Sequence, residues 1–285
     1  KNLYIYKAEY QYPARQLLNH YDCDIREFIN QQKKQSEELG FVNYLREQEK
    51  TIQIVDADAV SKKIVRALTC FYFEENLQKR SAADMAKIFN EYAGGAHKYN
   101  FISFNYTSIL EKCLATVQNK VVRKRSLGGN DYVDKIGEIV HVHGSCGSHP
   151  IMGVNDVEQI ANKELAKDNE FVKLLIKPKI NQALRMNYDQ EGLELIQQSV
   201  IICIYGMALG ETDKTWWNAI IHWLSTGGKR QLVIFDYDEK YTTNSQFSWI
   251  RKENSIIDKL SKYLNTVIHE SVRARIHIAV HKNIF

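Results

Sequence analysis

Four short hydrophobic runs typical of β-strands each lead into a residue that can bind a ligand or take part in chemistry. These residues are Asn105, His143, Gly206 and Asp236. In an open α/β sheet, ligands bind in the crevice outside the carboxyl ends of the strands. We therefore expect a site assembled from the ends of several strands.

Asn105 stands between a predicted strand and a predicted helix. Asn is common at helix N-caps, so a cap or a turn is one interpretation. However, Ser108 and Glu111 already have the spacing of a capping box for that helix. This leaves Asn105 without an obvious structural task and favours a functional role.

His141 and His143 are two residues apart on a predicted strand, so both side chains should point to one face. A packed, hydrogen-bonded pair is one interpretation. A metal site completed by His149 or Asp156 is a second, although no third ligand has diagnostic spacing. A catalytic His143 is the third. Gly144, which directly follows, would let a ligand approach the backbone closely.

Further along the chain, the segment from Gly206 to Gly210 joins a strand to an amphipathic helix. Backbone N–H groups at a helix N-terminus favour a phosphate or a ribose there. Asp236 ends the next strand, where a carboxylate can accept hydrogen bonds from ribose hydroxyls. Asn155 and Asp156 follow another predicted strand, and there a plain turn is the alternative.

Length and composition exclude several classes of protein. The chain has 285 residues and a formal net charge of +4, and its longest apolar runs, about six residues, are too short to cross a bilayer. Its five scattered cysteines form no C-x-x-C pair, so we expect no structural zinc, reduced thiols and a cytoplasmic protein. The common motifs of P-loop NTPases, zincins and α/β-hydrolases are missing. The basic run from Lys120 to Arg125 predicts a solvated loop, with nucleic-acid contact as the alternative.

The order of the elements predicts an α/β protein with a Rossmann-like, largely parallel sheet and helices on both faces. We expect a single domain, with a mainly helical insertion over 14–95 and a nucleotide-binding core over 98–285. Strands are predicted near 100–104, 138–142, 150–153, 199–204, 231–236 and 275–281. Helices are predicted near 106–118, 157–176, 179–197, 212–225 and 254–264.

Four motifs occur in the order seen in AbiH-type phage abortive-infection proteins, and the chain resembles that family from about residue 98 to the end. The motifs are Phe104-Asn105-Tyr106-Thr107, His141-Val142-His143-Gly144-Ser145, Gly153-Val154-Asn155-Asp156 and Gly206-x-x-Leu209-Gly210-Glu211-Thr212-Asp213. AbiH proteins are similar in turn to the sirtuin superfamily, whose defence branch hydrolyses NAD.

This resemblance implies a role for each motif. Asn105 would place the attacking water and contact the nicotinamide ribose, and His143 would be the catalytic histidine. The loop from Gly206 to Leu209 would cradle the adenosine ribose. Further binding residues implied by the motifs or by strand-end position are Phe104, Tyr106, Thr107, Gly144, Asn155, Asp156, Met207, Gly210, Asp213 and Asp236.

The chain departs from the family pattern in three places. The usual opening strand and Gly-Asn-Gly-Phe-Asp loop have no match, so either they precede Lys1 or the site is incomplete. Met207-Ala208 replaces a pair that usually includes Ser. The sirtuin zinc module is also absent, which disfavours deacylation relative to simple NAD cleavage.

The sequence thus predicts an antiphage effector that hydrolyses NAD, with NAD as substrate and no other cofactor. We expect a homo-oligomer or a partner defence subunit, a phage-derived trigger and no membrane association. One alternative is a module that senses NAD or ADP-ribose without cleaving it. Another is a nucleic-acid-processing effector that uses the basic run.

Overall fold

The computed structural model describes residues 40–207, 210, 213–236, 246–264 and 267–280. Its helices are α1 (Phe41–Thr51), α2 (Ala57–Cys70), α3 (Lys79–Glu91), α4 (Ile109–Leu114), α5 (Asn169–Leu175), α6 (Lys177–Ala183), α7 (Tyr188–Gln198), α8 (Lys214–Thr226), α9 (Gln246–Leu264) and α10 (Glu270–Arg273). Its strands are β1 (Lys98–Ser103), β2 (Val121–Leu127), β3 (Asn130–His141), β4 (Ile201–Tyr205), β5 (Gln231–Asp236) and β6 (Ile276–Val280). The result is a mixed α/β protein with two three-stranded sheets over the described residues.

The first sheet has the order β1-β3-β2. Strands β2 and β3 form an antiparallel hairpin that closes at Gly128 and Gly129, whose φ angles of 59° and 81° suit a tight turn. Strand β1 runs parallel to β3, because Lys135 N–H donates to the His97 carbonyl and Val142 N–H to the Ser103 carbonyl. The parallel pair therefore ends at one edge of the sheet.

Arg123, Lys124 and Arg125 of the basic run lie in strand β2, so the predicted loop is wrong here. Arg123 and Arg125 both bind Asp134 of β3, with an Arg125 Nη2–Asp134 Oδ1 distance of 2.9 Å. The Asp134 side chain is fully buried and also accepts a hydrogen bond from the His97 N–H. Burial alone would raise the pKa of Asp134, but the hydrogen bonds from Arg125, His97 and Arg123 outweigh it and lower that pKa.

The second sheet is parallel, in the order β4-β5-β6, as the sequence predicted for these strands. Strand β6 and all but the last residue of β5 are buried, so both faces of these strands are covered. One face packs on α3 and the end of α2, in a cluster formed by Phe71, Leu77, Ala82, Met85, Val233, Phe235 and Ala279. The apolar stripe of α8 is buried, as its spacing indicated.

The described residues fall into two compact units. The first contains residues 40–53, 102–109 and 140–192, and the second contains 54–101, 110–139 and the described residues from 193 onward. The part of the predicted insertion that lies within the described residues, 40–95, is helical as expected. The single-domain organisation and the Rossmann-like arrangement stay predictions.

Three predicted elements that lie wholly or partly in the first unit are wrong. The helix predicted over 179–197 is divided into α6 and α7 by residues 184–187, which are not helical. Residues 150–153 form no strand, because Pro150 opens the segment and Gly153 interrupts it with a φ of 151°. The helix predicted over 157–176 is broken into 3-10 turns and α5, since polar side chains cap it internally. Asp168, for example, accepts hydrogen bonds from the N–H groups of Glu170 and Phe171.

We expect Asp134→Asn to destabilise the protein by about 3 kcal/mol at pH 7, because it leaves two arginines beside a buried amide. Urea unfolding measures the loss. The lowered pKa of Asp134 means that its stabilisation is present above the unfolded-state pKa of about 4 and disappears as the pH falls through the folded-state pKa. The two proteins should therefore converge in acid. The exposed Asp131→Asn is the matched control and should change stability by less than about 0.5 kcal/mol.

Candidate active site

The candidate site of the first unit begins where β1 and β3 end. The Val142 N–H donates to the Ser103 carbonyl over 3.1 Å, so the pairing continues one residue beyond β3. Asn105 lies two residues after Ser103, and His143 lies one residue after Val142. Because the strands are parallel, both residues leave the sheet at the same edge.

The backbone of Asn105 is held on both sides while its side chain is exposed. Its N–H donates to Ser103 Oγ over 3.3 Å, and its carbonyl oxygen lies 2.8 Å from His141 Nδ1. Helix α4 begins at Ile109, four residues later, so Asn105 does not cap it. The structure gives the Asn105 amide no hydrogen bond within the residues it describes, which leaves its oxygen and nitrogen available to a ligand.

His143, in contrast, is buried, with only 7% of the residue exposed. Its ring makes an edge contact with Phe104 and lies 6.1 Å from the ring of Tyr106, centroid to centroid. It is also hydrogen-bonded to the Phe104 backbone. The sequence argument placed both Asn105 and His143 on an open crevice, where truncation leaves a void accessible to water. For His143 that argument is wrong, because aromatic rings and a lysine surround it.

Burial and the nearby charge of Lys177 lower the pKa of His143 to about 3. The hydrogen bond to Phe104 opposes this but is weaker. The imidazole is therefore neutral at any physiological pH. It can accept a hydrogen bond, but it is a weak proton acceptor in the resting protein.

The loop after His143 packs closely on its own backbone at Gly144. Gly144 has a φ of 67°, and a Cβ added to it would lie 2.2 Å from the His149 carbonyl oxygen. Beyond it, Cys146 N–H donates to the Tyr106 carbonyl, and Arg46 of α1 donates to the Cys146 carbonyl. Tyr106 Oη donates to the Ile151 carbonyl over 2.8 Å. These bonds fix the segment that carries Phe104 and Tyr106 relative to His143.

Other predicted residues of the first unit have local structural contacts. Asp156 caps a 3-10 turn by accepting a hydrogen bond from Glu158 N–H, and Asn155 N–H donates to Gln159 Oε1. Both contacts are those of the plain turn that the sequence left open. Thr107 is half-buried beside Ser108, and the Ser108 N–H and hydroxyl bind Glu49 of α1.

Sequence reasoning missed two buried polar residues, Lys177 next to His143 and Asn181 on the same helix as Lys177. Lys177 is only 6% exposed, and its Nζ lies 3.4 and 3.3 Å from the two ring nitrogens of His143. Asn181, one turn later, donates to Asp189 Oδ2 over 2.8 Å. The available signal was Lys177-Pro178 between apolar residues, because Pro is common in the first turn of a helix.

A family model for "Bacteriophage abortive infection AbiH" matches residues 4–237 of the chain. The chain belongs to the AbiH family. The match includes both strand ends described above and all four sequence motifs. Neither the curated proteins nor the solved structures contain a match to this chain.

The second unit of this AbiH protein carries the remaining predicted residues. Gly206 follows β4 with a φ of 65°, Met207 is half-buried, and Asp213 N–H donates to the Gly210 carbonyl just before α8. Leu209 lies outside the described residues. The Asp236 carboxylate already forms an ion pair with Lys252 of α9, with 2.7 Å between Nζ and Oδ2. Assembly of these residues with Asn105 and His143 into one site stays a prediction.

The described residues contain no group of three His, Cys, Asp or Glu side chains arranged to hold a metal ion, so His141 and His143 gain no third ligand there. The helices within the same residues are all too short or too polar to span a bilayer.

We expect Gly144→Ala to destabilise the AbiH protein by about 2–4 kcal/mol. The added methyl group would meet the His149 carbonyl, and the left-handed backbone is itself unfavourable for Ala. Chemical denaturation measures the effect. Gly147→Ala is the matched control in the same loop, because its nearest neighbour would be Ser145 Oγ at 3.9 Å. Equal stability losses for the two variants would contradict the close approach of the His149 carbonyl to Gly144.

Proposed function

We propose that this AbiH protein is an abortive-infection effector that hydrolyses NAD to nicotinamide and ADP-ribose. The family match supports the role in abortive infection. The observation that carries the proposed reaction is that an exposed Asn105 and a buried, neutral His143 follow the adjoining ends of two parallel strands. The resemblance to sirtuin-like NAD hydrolases supplies the substrate.

The reaction needs few protein groups. Nicotinamide leaves NAD from a positively charged state, so no general acid has to protonate it, unlike the leaving group of an ordinary glycosidase. The protein then has to hold the nicotinamide ribose and to exclude bulk water from an oxocarbenium-like transition state. It also has to direct one water molecule at C1 of that ribose.

Asn105 and His143 divide this work between them. The Asn105 amide has both a donor and an acceptor, so it can orient the attacking water and a ribose hydroxyl together. One nitrogen of a neutral imidazole carries a proton and the other accepts a hydrogen bond, so His143 can hold a ribose hydroxyl or the water. His143 takes the proton only as the water attacks, when the water becomes far more acidic.

The structure weakens the nucleic-acid alternative. That alternative depended on the basic run, and Arg123 and Arg125 of this run are bound to Asp134. The pairing leaves less positive charge for phosphate contacts than the sequence implied.

Substitution of the two residues tests the proposal. Asn105→Ala should lower kcat for NAD at least about 100-fold with a stability change of about 1 kcal/mol or less, because its side chain is exposed. His143→Gln should lower kcat similarly, whereas His143→Ala should also cost about 2–5 kcal/mol of stability because it leaves a buried cavity.

Calorimetry supplies the second measurement for the same variants. NAD affinity should stay within about tenfold of the parent, since water placement matters mainly in the transition state. The exposed His149→Gln is the matched control and should keep its activity. Full activity in Asn105→Ala would refute the assignment of the site.

The low pKa of His143 also predicts a pH profile. Its neutral form is complete above about pH 4, so titration of His143 should leave kcat unchanged between pH 5 and 8. A pH-rate profile under NAD saturation measures this. An acid limb near pH 6.5 that disappears in His143→Gln would show that the imidazole is accessible to protons and would contradict the buried, neutral state.

A further inference from the structure

Lys177 is an unusual lysine because it is buried at the start of a helix. Lysine is almost never buried to this degree without a partner. It is the first residue of α6, and the first turn of α6 contains no acidic residue. Its charge therefore lies at the end of the helix where a cation is unfavourable. The placement costs free energy on two counts, which points to a task beyond packing.

The backbone around Lys177 is clamped against the segment that contains Gly153 and Val154. Val154 N–H donates to the Leu175 carbonyl, and Lys177 N–H donates back to the Val154 carbonyl, each over 2.9 Å. A Cβ on Gly153 would lie 2.1 Å from the Leu175 carbonyl oxygen, so only glycine permits this approach. The start of α6 is thus held in one place, and with it the stem of Lys177.

The carboxylate of Asp189 on α7 interacts electrostatically with the ammonium of Lys177. Asn181 Nδ2 donates to the same carboxylate. Burial raises the pKa of Asp189, while Asn181 and Lys177 oppose the rise. Asp189 therefore stabilises the buried ammonium, and Asn181 holds the carboxylate in position.

The position of the Lys177 ammonium indicates that it acts on His143 through its charge and not through a directed hydrogen bond. Lys177 Nζ is nearly equidistant from Nδ1 and Nε2, at 3.4 and 3.3 Å. The lone pairs of the two nitrogens diverge in the ring plane, so a point equidistant from both lies on neither axis. Lys177 thus acts on the whole ring through its charge and does not lie on the lone-pair axis of the accepting nitrogen.

We propose that Lys177 is a positioning residue of this site, which keeps the His143 imidazole neutral and oriented with its N–H on the Phe104 carbonyl. The role of Lys177 in turnover rests on the function proposed above. Its effect on the protonation and orientation of the His143 ring does not. Burial is the larger cause of the low pKa of His143, and the charge of Lys177 further disfavours the imidazolium, which would lose the acceptor that the substrate hydroxyl or water needs. Lys177 is also a specificity device, because it favours a ligand that brings an electron-rich oxygen to this side of the ring.

The groups around the ring fix the expected pH effect. Lys177 on α6 and the Tyr106 phenol are the titratable groups found next to the imidazole, and Asp189 on α7 acts through Lys177. Removal of the ammonium should raise the pKa of His143 from about 3, while the remaining burial keeps it below its ordinary value. A raised pKa brings the charged, inactive form into the acidic range, so activity should be lost first at low pH.

NMR of protein labelled on its histidine rings tests the proposal without any enzymatic assay. His143 signals, identified by their loss in His143→Gln, should show one tautomer and no titration between pH 5 and 8 in the full chain. Lys177→Met, which keeps the length of the side chain without its charge, should move the titration of His143 to higher pH. The exposed Lys179→Met on the same helix is the control and should leave the His143 signals unchanged.

The outcomes separate this proposal from the proposed function. If NAD is turned over, Lys177→Met should retain the parental rate near pH 8 more fully than near pH 5. If NAD is not turned over but the His143 titration shifts, the positioning role stands and the reaction is wrong. An unchanged His143 titration in folded Lys177→Met overturns the proposal. Should that variant fail to fold, a mixed tautomer or titration near pH 6.5 in the parent protein overturns it equally.

Discussion

The parallel pairing of β1 with β3 is the interaction on which the candidate site depends. The hydrogen bond from Val142 N–H to the Ser103 carbonyl sets the register at the end of both strands. A shift of one residue would turn every side chain to the opposite face and separate Asn105 from His143. In the same sheet, the ion pairs of Arg123 and Arg125 with Asp134 hold β2 against β3.

Asn105 and His143 lie in contrasting environments, which suit the different roles proposed for them. Asn105 has a fixed backbone and an exposed amide, which is the arrangement needed to organise a substrate. His143 has a buried ring that burial and Lys177 keep neutral. A pair of this kind suits a reaction whose leaving group departs without a proton, and it is poorly equipped for reactions that require a strong general acid. The chemistry thus follows from burial as much as from residue type.

The sequence predicted those parts of the structure that short-range patterns control. Strands β4 and β5 contain the apolar runs 201–204 and 232–235 that the sequence shows. Gly144 was expected to allow a ligand close to its backbone, and the structure places the His149 carbonyl there instead. Strand β2 was missed because its arginines and lysine suggest a solvated loop until Asp134 pairs with them across the hairpin. Lys177 was missed for a related reason, because it meets His143 across 34 positions of sequence and no local pattern records that contact.

The most direct test of the account is product analysis with NAD in ¹⁸O-labelled water. Purified full-length protein, supplied with phage lysate as a source of the trigger, should release nicotinamide and ADP-ribose in equal amounts. One ¹⁸O atom should appear on the ribose C1 hydroxyl, and Asn105→Ala should release both products at least about 100-fold more slowly. Saturable binding of NAD with no nicotinamide released, with and without lysate, would contradict hydrolysis and would show that the pocket senses the nucleotide without cleaving it.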